Sequence, residues 1–183
     1  MGDPKRQHKK YKAPETPYDE ARIMDELKLL GVYGLRNKKE IWRHRTTLRN
    51  FRQISRAVLS MEPERRAKSE REFLGKMYNL GLVKRDASLD DILGLRIEDI
   101  LERRLQTLVY RNRLASSLFQ ARQLIVHGHI AIGDSAVSSP SYIVTREEET
   151  KIGYAPNSPL AQGSHPMRQE ITALQGGRGE GRE

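Results

Sequence analysis

Four arginines in the first third of the chain have the spacing of one face of a helix. They are, in chain order, Arg45, Arg49, Arg52 and Arg56, separated by 4, 3 and 4 residues. At about 100° per residue this spacing places them in one narrow stripe. A guanidinium holds a phosphate through two hydrogen bonds, and like charges one helical turn apart repel each other. The stripe therefore predicts a ridge that binds phosphate groups, in preference to a face that is only solvated.

Residue types that serve catalysis or metal binding are present but form no recognisable constellation. His127-Gly128-His129 has the spacing of a metal site, yet the sequence offers no third ligand nearby. Asp90 and Asp91 are explained by their place at the start of a helix. The sequence also has no phosphate-binding or dinucleotide-binding glycine loop and no cysteine. We therefore expect no catalytic residue, no metal and no cofactor, and the protein is not predicted to be an enzyme.

Positive charge is concentrated in the first two thirds of the chain. The net charge is +9; residues 1–125 hold 28 Lys and Arg against 17 Asp and Glu, and residues 126–183 hold 5 against 7. Only 6% of residues are aromatic, which suits a phosphate backbone better than stacked single-stranded bases. No apolar run approaches the roughly 18 residues of a membrane helix, and no apolar region follows the basic N-terminus. We expect a cytoplasmic protein with a nucleic-acid partner and no membrane partner.

Composition and periodicity divide the chain into four segments. Residues 1–18, rich in proline and basic residues, predict an extended basic arm that is disordered unless an anion binds it. Residues 19–100 predict a helical domain. Its first element is predicted as a short amphipathic helix at residues 19–30, with Ile23, Leu27 and Leu30 at helical spacing and a break at Gly31 and Gly34. Within residues 101–160 the period of the apolar residues changes from about 3.6 to about 2, which predicts a small module of two helices and a short sheet. Residues 161–183 predict a flexible tail. The fold class is therefore α+β, a mostly helical N-terminal region followed by a small two-helix module with a short antiparallel sheet.

The arginine stripe belongs to a long predicted helix at residues 37–60. Asn37 can cap this helix, and Glu40 stands three positions later, as a capping box requires. A neighbouring apolar face is assigned to the core and consists of Leu48, Phe51, Ile54 and Val58. The next predicted helix, residues 62–78, has four basic and four acidic residues within 62–72 and is interpreted as an exposed, salt-bridged surface.

A predicted helix at residues 96–112 leads into the module. Arg104 and Arg111 flank its apolar face on one side. A second predicted helix at residues 116–127 carries a polar stripe that includes Gln120 and His127. Short extended segments are predicted after it, at residues 129–132, 136–137, 142–144 and 151–154.

The run from Arg113 to Ile130 resembles a known RNA-binding module. It reads RLASSLFQARQLIVHGHI and is followed by AVSSPSY at 136–142, a pattern similar to the small module named after the universal small-subunit ribosomal protein four. Upstream, YGLRNKKEIWR at 33–43 and DILERRLQTLVYR at 99–111 are similar to the family of that ribosomal protein itself, in its archaeal form. The resemblance covers roughly residues 1–160.

This resemblance implies a structural constituent of the small ribosomal subunit. Such a protein would bind the 5′ domain of the small-subunit ribosomal RNA (rRNA) first, nucleate assembly, and contribute to translational accuracy near the channel where mRNA enters. The implied partners are small-subunit rRNA, neighbouring small-subunit ribosomal proteins at that channel, and mRNA; the implied location is the ribosome in the cytoplasm. In the module, the positions expected to face RNA are Arg113, Gln120, Arg122, His127 and His129.

Two alternatives use the same module. RNA-modifying or tRNA-charging enzymes carry it beside a catalytic domain, whereas residues 1–100 offer only helices and capping carboxylates; free-standing ribosome-rescue factors carry it as well. The stripe, the arm and the resemblance together give the candidate RNA-binding residues, which are Lys5, Arg6, Lys9, Lys10, Arg36, Lys38, Lys39, Arg43, Arg45, Arg49, Arg52, Arg56, Arg104, Arg111, Arg113, Gln120, Arg122, His127 and His129.

Overall fold

The computed structural model describes residues 8–163 and 165–176. The helices are α1 (Glu20–Tyr33), α2 (Lys38–Leu59), α3 (Pro63–Asn79), α4 (Leu89–Gly94), α5 (Ile97–Glu102), α6 (Leu105–Arg111), α7 (Leu118–Val126), α8 (Arg146–Glu149) and α9 (Pro166–Gly176). The strands are β1 (Ile130–Ile132), β2 (Ser135–Ala136) and β3 (Ile152–Tyr154), and a 3-10 turn spans Pro159–Ala161. The predicted α+β class is confirmed. None of the described helices combines the length and the apolar composition that crossing a membrane requires.

The long helix α2 forms close to where the sequence predicts it. The Asn37 side chain accepts a hydrogen bond from the Glu40 backbone N–H at 3.2 Å, which caps the first turn. The Glu40 carboxylate does not close the expected capping box, because it is turned inward to two arginines of the module. Ile54, assigned to the core from its spacing, is 43% exposed. Ser55 is buried instead, and its hydroxyl donates to the Leu89 carbonyl at 3.0 Å.

Helix α1 runs three residues past its predicted end at Leu30 and stops at Gly34. Gly31 lies within the helix and does not interrupt it. Gly34 ends the helix with φ +57°, a left-handed conformation that favours glycine. A Cβ at Gly34 would lie 2.8 Å from the Leu118 Cβ. This glycine therefore allows the end of α1 to approach the start of α7, which joins the N-terminal helices to the module.

The predicted helix at residues 96–112 is two helices, α5 and α6, with a break at Arg103-Arg104. The segment at residues 142–144, expected to be a strand, lies against this break. The Leu105 N–H donates to the Tyr142 carbonyl at 2.8 Å, and the Val144 N–H donates to the Arg103 carbonyl at 2.9 Å. These long-range hydrogen bonds satisfy backbone groups that a continuous helix would have paired locally. The break turns Arg104 into the interior.

The short sheet has the order β2-β1-β3, with both pairings antiparallel. Ala131 at its centre faces Ala136 on one side and Gly153 on the other. Gly133 opens the tight turn between β1 and β2 with φ +60°. The antiparallel sheet predicted from the change of period is confirmed.

Three apolar clusters hold the described chain together. One lies in the module between α6, α7 and the sheet and includes Leu105, Ile125 and Ile130. A second joins α2, α3 and α4 through residues such as Met77 and Ile92. A small third cluster forms where the two regions meet, and its buried members are Tyr33, Leu35, Ile41 and Leu101. The contact of the third cluster fixes the module against the N-terminal helices.

Both ends of the described chain contact the body of the protein. In the arm, the Tyr11 ring lies 5.9 Å from the Trp42 ring, and the Lys12 N–H donates to Thr46 Oγ1 at 3.1 Å. Tyr11 and Lys12 thus contact α2, and the predicted disorder of the unbound arm stays a prediction. Lys5 and Arg6 lie outside the described residues.

The region predicted to be a flexible tail contains helix α9. Ile171 on this helix is buried, and the Arg168 guanidinium donates to the Ala161 carbonyl at 3.0 Å and lies over the Tyr154 ring. Composition alone indicated flexibility, but a few apolar residues among the polar ones suffice to dock a short helix on the module. The Gly-rich residues 177–183 lie outside the described residues.

Candidate nucleic-acid interface

The arginine stripe of α2 forms one wall of an open groove. Arg96, in the link between α4 and α5, and Ile97 lie opposite the stripe, and Leu48 lines the groove from α2. The groove has a volume of about 550 Å³, and its basic members are Arg45, Arg49, Arg52, Arg56 and Arg96. We call this surface the arginine groove. Its shape and charge suit a phosphate backbone, because several guanidinium groups converge where a chain of phosphates can lie.

Arg96 is the member of the groove that sequence reasoning missed. It is the first residue of the predicted helix at residues 96–112 and lies outside the stripe, whereas in the structure it lies with Leu95 in the link between the six-residue helices α4 and α5. Its backbone N–H donates to the Asp99 carboxylate at 2.7 Å, which caps α5. Arg52 of α2 holds the link itself through its hydrogen bond to the Leu95 carbonyl. Packing of α4 and α5 on α2 therefore adds a basic residue opposite the stripe.

The arginines of the groove differ in how they are held. Arg52 Nη2 donates to the Leu95 carbonyl at 2.6 Å, and Arg45 Nη1 lies 2.7 Å from the Glu26 carboxylate. Arg49 and Arg56 are exposed and have no hydrogen bond or ion pair within the described part of the chain. Two guanidinium groups are thus anchored by the protein, and two point outward with all five donors open to a ligand.

Glu26 anchors the end of the groove nearest α1. Its carboxylate is fully buried and also accepts a hydrogen bond from Trp42 Nε1 at 3.1 Å and one from Arg22 at 3.4 Å. Sequence spacing assigned Leu27, its neighbour, to the buried face of α1, and gave no signal for a buried carboxylate. Because Glu26 neutralises Arg45, the positive charge available to a ligand is concentrated toward Arg49 and Arg56.

A second group of charges joins α2 to the module, and all but one of its members, Arg122, are buried. Arg104, predicted to bind RNA, is 0% exposed. Its Nη2 lies 2.6 Å from Glu40 Oε2 and its Nη1 lies 2.7 Å from His44 Nε2, while Arg122 Nη2 lies 2.8 Å from Glu40 Oε1. We call these four residues the interdomain ion cluster. The assignment of Arg104 to the RNA surface is corrected, because the break between α5 and α6 turns its side chain inward.

The interdomain ion cluster sets the protonation of its members. Burial by itself would raise the pKa of Glu40, but hydrogen bonds and charge from Arg122 and Arg104 outweigh burial and lower it below its ordinary value. Burial, followed by the positive charge of Arg104, lowers the pKa of His44 to about 4. His44 is therefore neutral near pH 7, and because arginine only donates, Nε2 accepts and Nδ1 carries the proton.

Polar residues of the module gather around a smaller cavity of about 220 Å³ between α7 and the C-terminal segment. Gln120, His127 and His129 line it from the module, and His165 and Met167 line it from the other side. Gln120 accepts from the Ser116 backbone N–H at 2.6 Å, and His129 Nδ1 is 2.9 Å from the Ser158 hydroxyl. The structure thus brings together three of the five residues that the resemblance places on the RNA side of the module.

The other candidate residues divide by exposure. Arg122 is turned toward Glu40 and also reaches the Gln106 side chain, and Arg111 pairs with Glu102. Arg113 is exposed at a positive φ of 60° in the turn before α7. Of the remaining candidates, Lys38 is half-buried. The exposed ones are Lys9, Lys10, Arg36, Lys39 and Arg43. Among residues 8–163 and 165–176, no group of three or more potential ligands could hold a metal ion.

Comparison with known proteins finds one matching domain family and several similar ribosomal proteins. The S4 domain family matches residues 103–149, which contain α6, α7, the strands β1 and β2, and α8. The chain is 52% identical over 159 residues to the small ribosomal subunit protein uS4 of Ignicoccus hospitalis, covering 87% of this chain and 96% of that protein. It is 51% identical over 161 residues to the protein of the same name from Metallosphaera sedula, covering 87% and 89%. For the one from Sulfurisphaera tokodaii, identity is 48% over 171 residues, covering 93% and 96%.

Proposed function

This chain belongs to the uS4 family of small-ribosomal-subunit proteins, and we propose that its arginine groove and its module together bind the 5′ domain of the small-subunit rRNA. Family membership carries the coarser statement: the chain is a structural, non-enzymatic, rRNA-binding protein of the small ribosomal subunit. The observation that carries the finer proposal is the groove itself, in which Arg49 and Arg56 project from a firmly anchored wall.

The groove suits folded RNA better than unstructured RNA. Double-stranded RNA is recognised mostly through phosphates and 2′-hydroxyls across its shallow groove, so recognition depends on shape. The arginine groove supplies several guanidinium groups along one wall and almost no aromatic surface for stacking. Arg36, Lys39 and Arg43 are also exposed, but Lys39 and Arg43 lie on the side of α2 away from the stripe and do not continue the groove. This arrangement favours the backbone of an RNA helix or helix junction as the ligand.

The interdomain ion cluster gives the two RNA-binding surfaces a fixed relative position. Glu40 on α2 holds Arg104 and Arg122 of the module through hydrogen bonds of 2.6 and 2.8 Å. A ligand that touches both surfaces then binds without first ordering one against the other, which improves affinity through preorganisation. The cluster is thus proposed to act on RNA binding indirectly, as a positioning element.

We further propose that the protein binds rRNA early and nucleates subunit assembly. Three apolar clusters of its own stabilise the described chain without a partner, which supports binding to naked RNA. On the basis of the family resemblance, we also propose that the protein contributes to translational accuracy near the channel where mRNA enters. The same resemblance supports contacts with mRNA and with the neighbouring ribosomal proteins at that channel, and a location on cytoplasmic ribosomes.

Footprinting tests the proposed RNA target. The full chain is bound to naked small-subunit rRNA, and backbone cleavage by hydroxyl radicals is compared with and without protein. Protection confined to the 5′ domain is expected, with large-subunit rRNA competing weakly. Protections in another domain, or equal competition by large-subunit rRNA, would refute the target. The latter result would favour a free-standing rescue factor that acts on the large subunit.

A further inference from the structure

The N-terminal arm lies over a cavity between α1 and α2. The cavity has a volume of about 310 Å³, and we call it the arm cavity. The Lys12 N–H donates to Thr46 Oγ1 of α2 at 3.1 Å, which holds the arm on one side. Arg22 Nη2 of α1 donates to the carbonyls of Thr16 and Pro17 at 2.6 and 2.9 Å, which holds the arm on the other side. The apolar lining of the arm cavity includes Pro14, Ile23 and Trp42, and its charged lining consists of Arg22, Glu26 and Lys38.

Two buried polar atoms of the charged lining lack a hydrogen-bond partner. Glu26 is fully buried, and the three donors that reach its carboxylate, from Arg22, Trp42 and Arg45, all meet Oε1. Glu26 Oε2 and Arg22 Nε have no hydrogen-bond partner within the described part of the chain. A buried polar atom that stays unpaired costs free energy, so its occurrence in a folded protein calls for an explanation. Together the two atoms offer one acceptor and one donor to an occupant of the arm cavity.

The charges around the arm cavity disfavour an ion as its occupant. Arg22 and Arg45 both pair with the Glu26 carboxylate, and Lys38 adds a third cation to this one carboxylate. A metal ion or a cationic side chain of another protein would be repelled by this excess of positive charge. An anion inside the cavity would lie against the unpaired carboxylate oxygen. The occupant that fits is therefore a neutral group with a donor beside an acceptor.

Water by itself fits the arm cavity poorly. One water molecule has a share of about 30 Å³ in the liquid, so one water on each unpaired atom leaves most of the 310 Å³ unfilled. The apolar lining of Pro14, Ile23 and the Trp42 ring offers further waters few hydrogen bonds. A larger group with a flat apolar ring and a polar edge suits both parts of the lining.

We propose that the arm cavity binds one unstacked nucleobase of the rRNA, with its ring against Trp42 and its Watson–Crick edge paired with Glu26 Oε2 and Arg22 Nε. The inference rests on the proposed function, because the base comes from the rRNA. Proteins read unpaired bases of RNA loops and junctions in this way, by stacking on aromatic side chains and by hydrogen bonds to the base edges. The exposed Lys9 and Lys10 of the arm supply positive charge for the phosphates on either side of the base. The arginine groove then holds the RNA backbone, and the arm cavity reads one base.

Chemical probing of base edges in the complex tests the proposal. The parent chain and the variant Ala13→Trp are each bound to naked small-subunit rRNA; Ala13 is an exposed arm residue that lines the arm cavity, so the indole fills the cavity and leaves the buried charges in place. Dimethyl sulfate, kethoxal and carbodiimide report unpaired Watson–Crick edges, and hydroxyl radicals report the backbone. We expect one nucleotide whose base is protected by the parent chain and reactive with the variant, while the backbone footprint persists. No such nucleotide, changes scattered over many nucleotides, or loss of the whole backbone footprint with the variant overturns the proposal.

The dependence of affinity on salt separates a base from a phosphate. Losing one stacked base should make Ala13→Trp bind the rRNA about 5- to 150-fold more weakly than the parent chain. The slope of log affinity against log salt should stay the same, because a base contact releases no counterion. A slope shallower by about 0.7 or more would show that a phosphate contact was lost, and would overturn the proposal.

The matched control is Ala21→Trp, which places the same side chain at an exposed position of α1 outside the arm cavity. Its affinity and its pattern of base protection should equal those of the parent chain, and a loss equal to that of Ala13→Trp would overturn the proposal. If the parent chain leaves no backbone footprint in the 5′ domain, the proposed function fails and this inference with it. If the footprint stands and no base depends on the cavity, this inference alone fails.

The fluorescence of Trp42 gives a second readout on the parent chain. Trp42 is the one tryptophan of the sequence, so its emission reports the arm cavity. Binding of the 5′ domain of small-subunit rRNA should quench this emission, because the base stacks on the indole. Unchanged emission in a complex with a full backbone footprint would leave only water in the cavity. Quenching by total small-subunit proteins without RNA would indicate a peptide as the occupant. Either result overturns the proposal.

Discussion

Replacing Arg49 and Arg56 together by alanine should weaken RNA binding without disturbing the fold. Both side chains are exposed and make no hydrogen bond or ion pair in the described chain, so the free energy of unfolding should change by less than about 0.5 kcal/mol. Arg52 is a poorer choice, because it also holds the Leu95 carbonyl. The double substitution therefore removes two outward-facing cations and little else.

The size of the effect follows from the release of counterions. Each phosphate contact contributes about 0.7 to 0.9 to the slope of log affinity against log salt, the smaller value applying to single strands and the larger to duplexes. Losing two contacts should make the slope shallower by about 1.4 to 1.8. At 0.1 M salt this corresponds to a loss of affinity of about 25- to 60-fold, or about 2 kcal/mol. Filter binding to the 5′ domain of small-subunit rRNA, repeated over a range of salt concentrations, measures both quantities.

The matched control is Arg65→Ala with Arg71→Ala on α3. It changes the net charge by the same amount, and both residues are exposed among acidic neighbours outside the groove. Affinity and slope should stay close to those of the parent chain. Equal losses in the two double variants would show that overall charge, and not the arginine groove, governs binding. A loss of affinity with an unchanged salt slope would show that Arg49 and Arg56 do not contact phosphates.

Two further predictions concern the interdomain ion cluster. Glu40→Gln should lower the free energy of unfolding by about 3 to 5 kcal/mol, because it leaves Arg104 buried without its counter-charge. The control Arg66→Ala breaks a partly exposed ion pair and should lower the free energy of unfolding by less than about 1 kcal/mol. Equal losses of the two variants in urea unfolding would contradict the assignment of the cluster. The pKa of His44 is about 4 in the folded chain against 6.5 ordinarily, so its contribution to stability is complete above pH 6.5 and is lost as the pH falls toward 4. The difference is worth about 3 kcal/mol. His44→Gln should flatten the pH dependence of unfolding over that interval, and an unchanged profile would show that His44 does not titrate as inferred.

Local structure was predictable where it depends on local interactions. Helices α2 and α3 begin and end within one or two residues of their predicted bounds, because apolar periodicity and a capping residue such as Asn37 act over a few residues. The arginine stripe was predictable for the same reason, since spacing decides which side chains share a face of a helix. The family was also evident from short motifs in the module and upstream of it, and the comparisons confirm it.

Long-range contacts account for what spacing did not predict. Periodicity groups Ile23, Leu27 and Leu30 on α1, but packing buries Glu26 and leaves Leu27 half exposed. The predicted helix at residues 96–112 breaks because Leu105 finds its hydrogen-bond partner in Tyr142, 37 positions away. No local pattern encodes such a partner, so neither the break nor the inward turn of Arg104 was foreseeable.

The sequence by itself determined that the chain is basic in its first two thirds, helical there, free of cysteine, and built around a stripe of arginines and an S4-type module. Only the tertiary structure decided which arginines are available to RNA. Arg104 and Arg122 bind Glu40, Arg45 binds Glu26, and Arg49 stays open. The physical reason is that a buried charge must find its counter-charge in three dimensions. The position of each carboxylate, and with it the arginine it neutralises, is fixed by packing between helices that are distant in sequence.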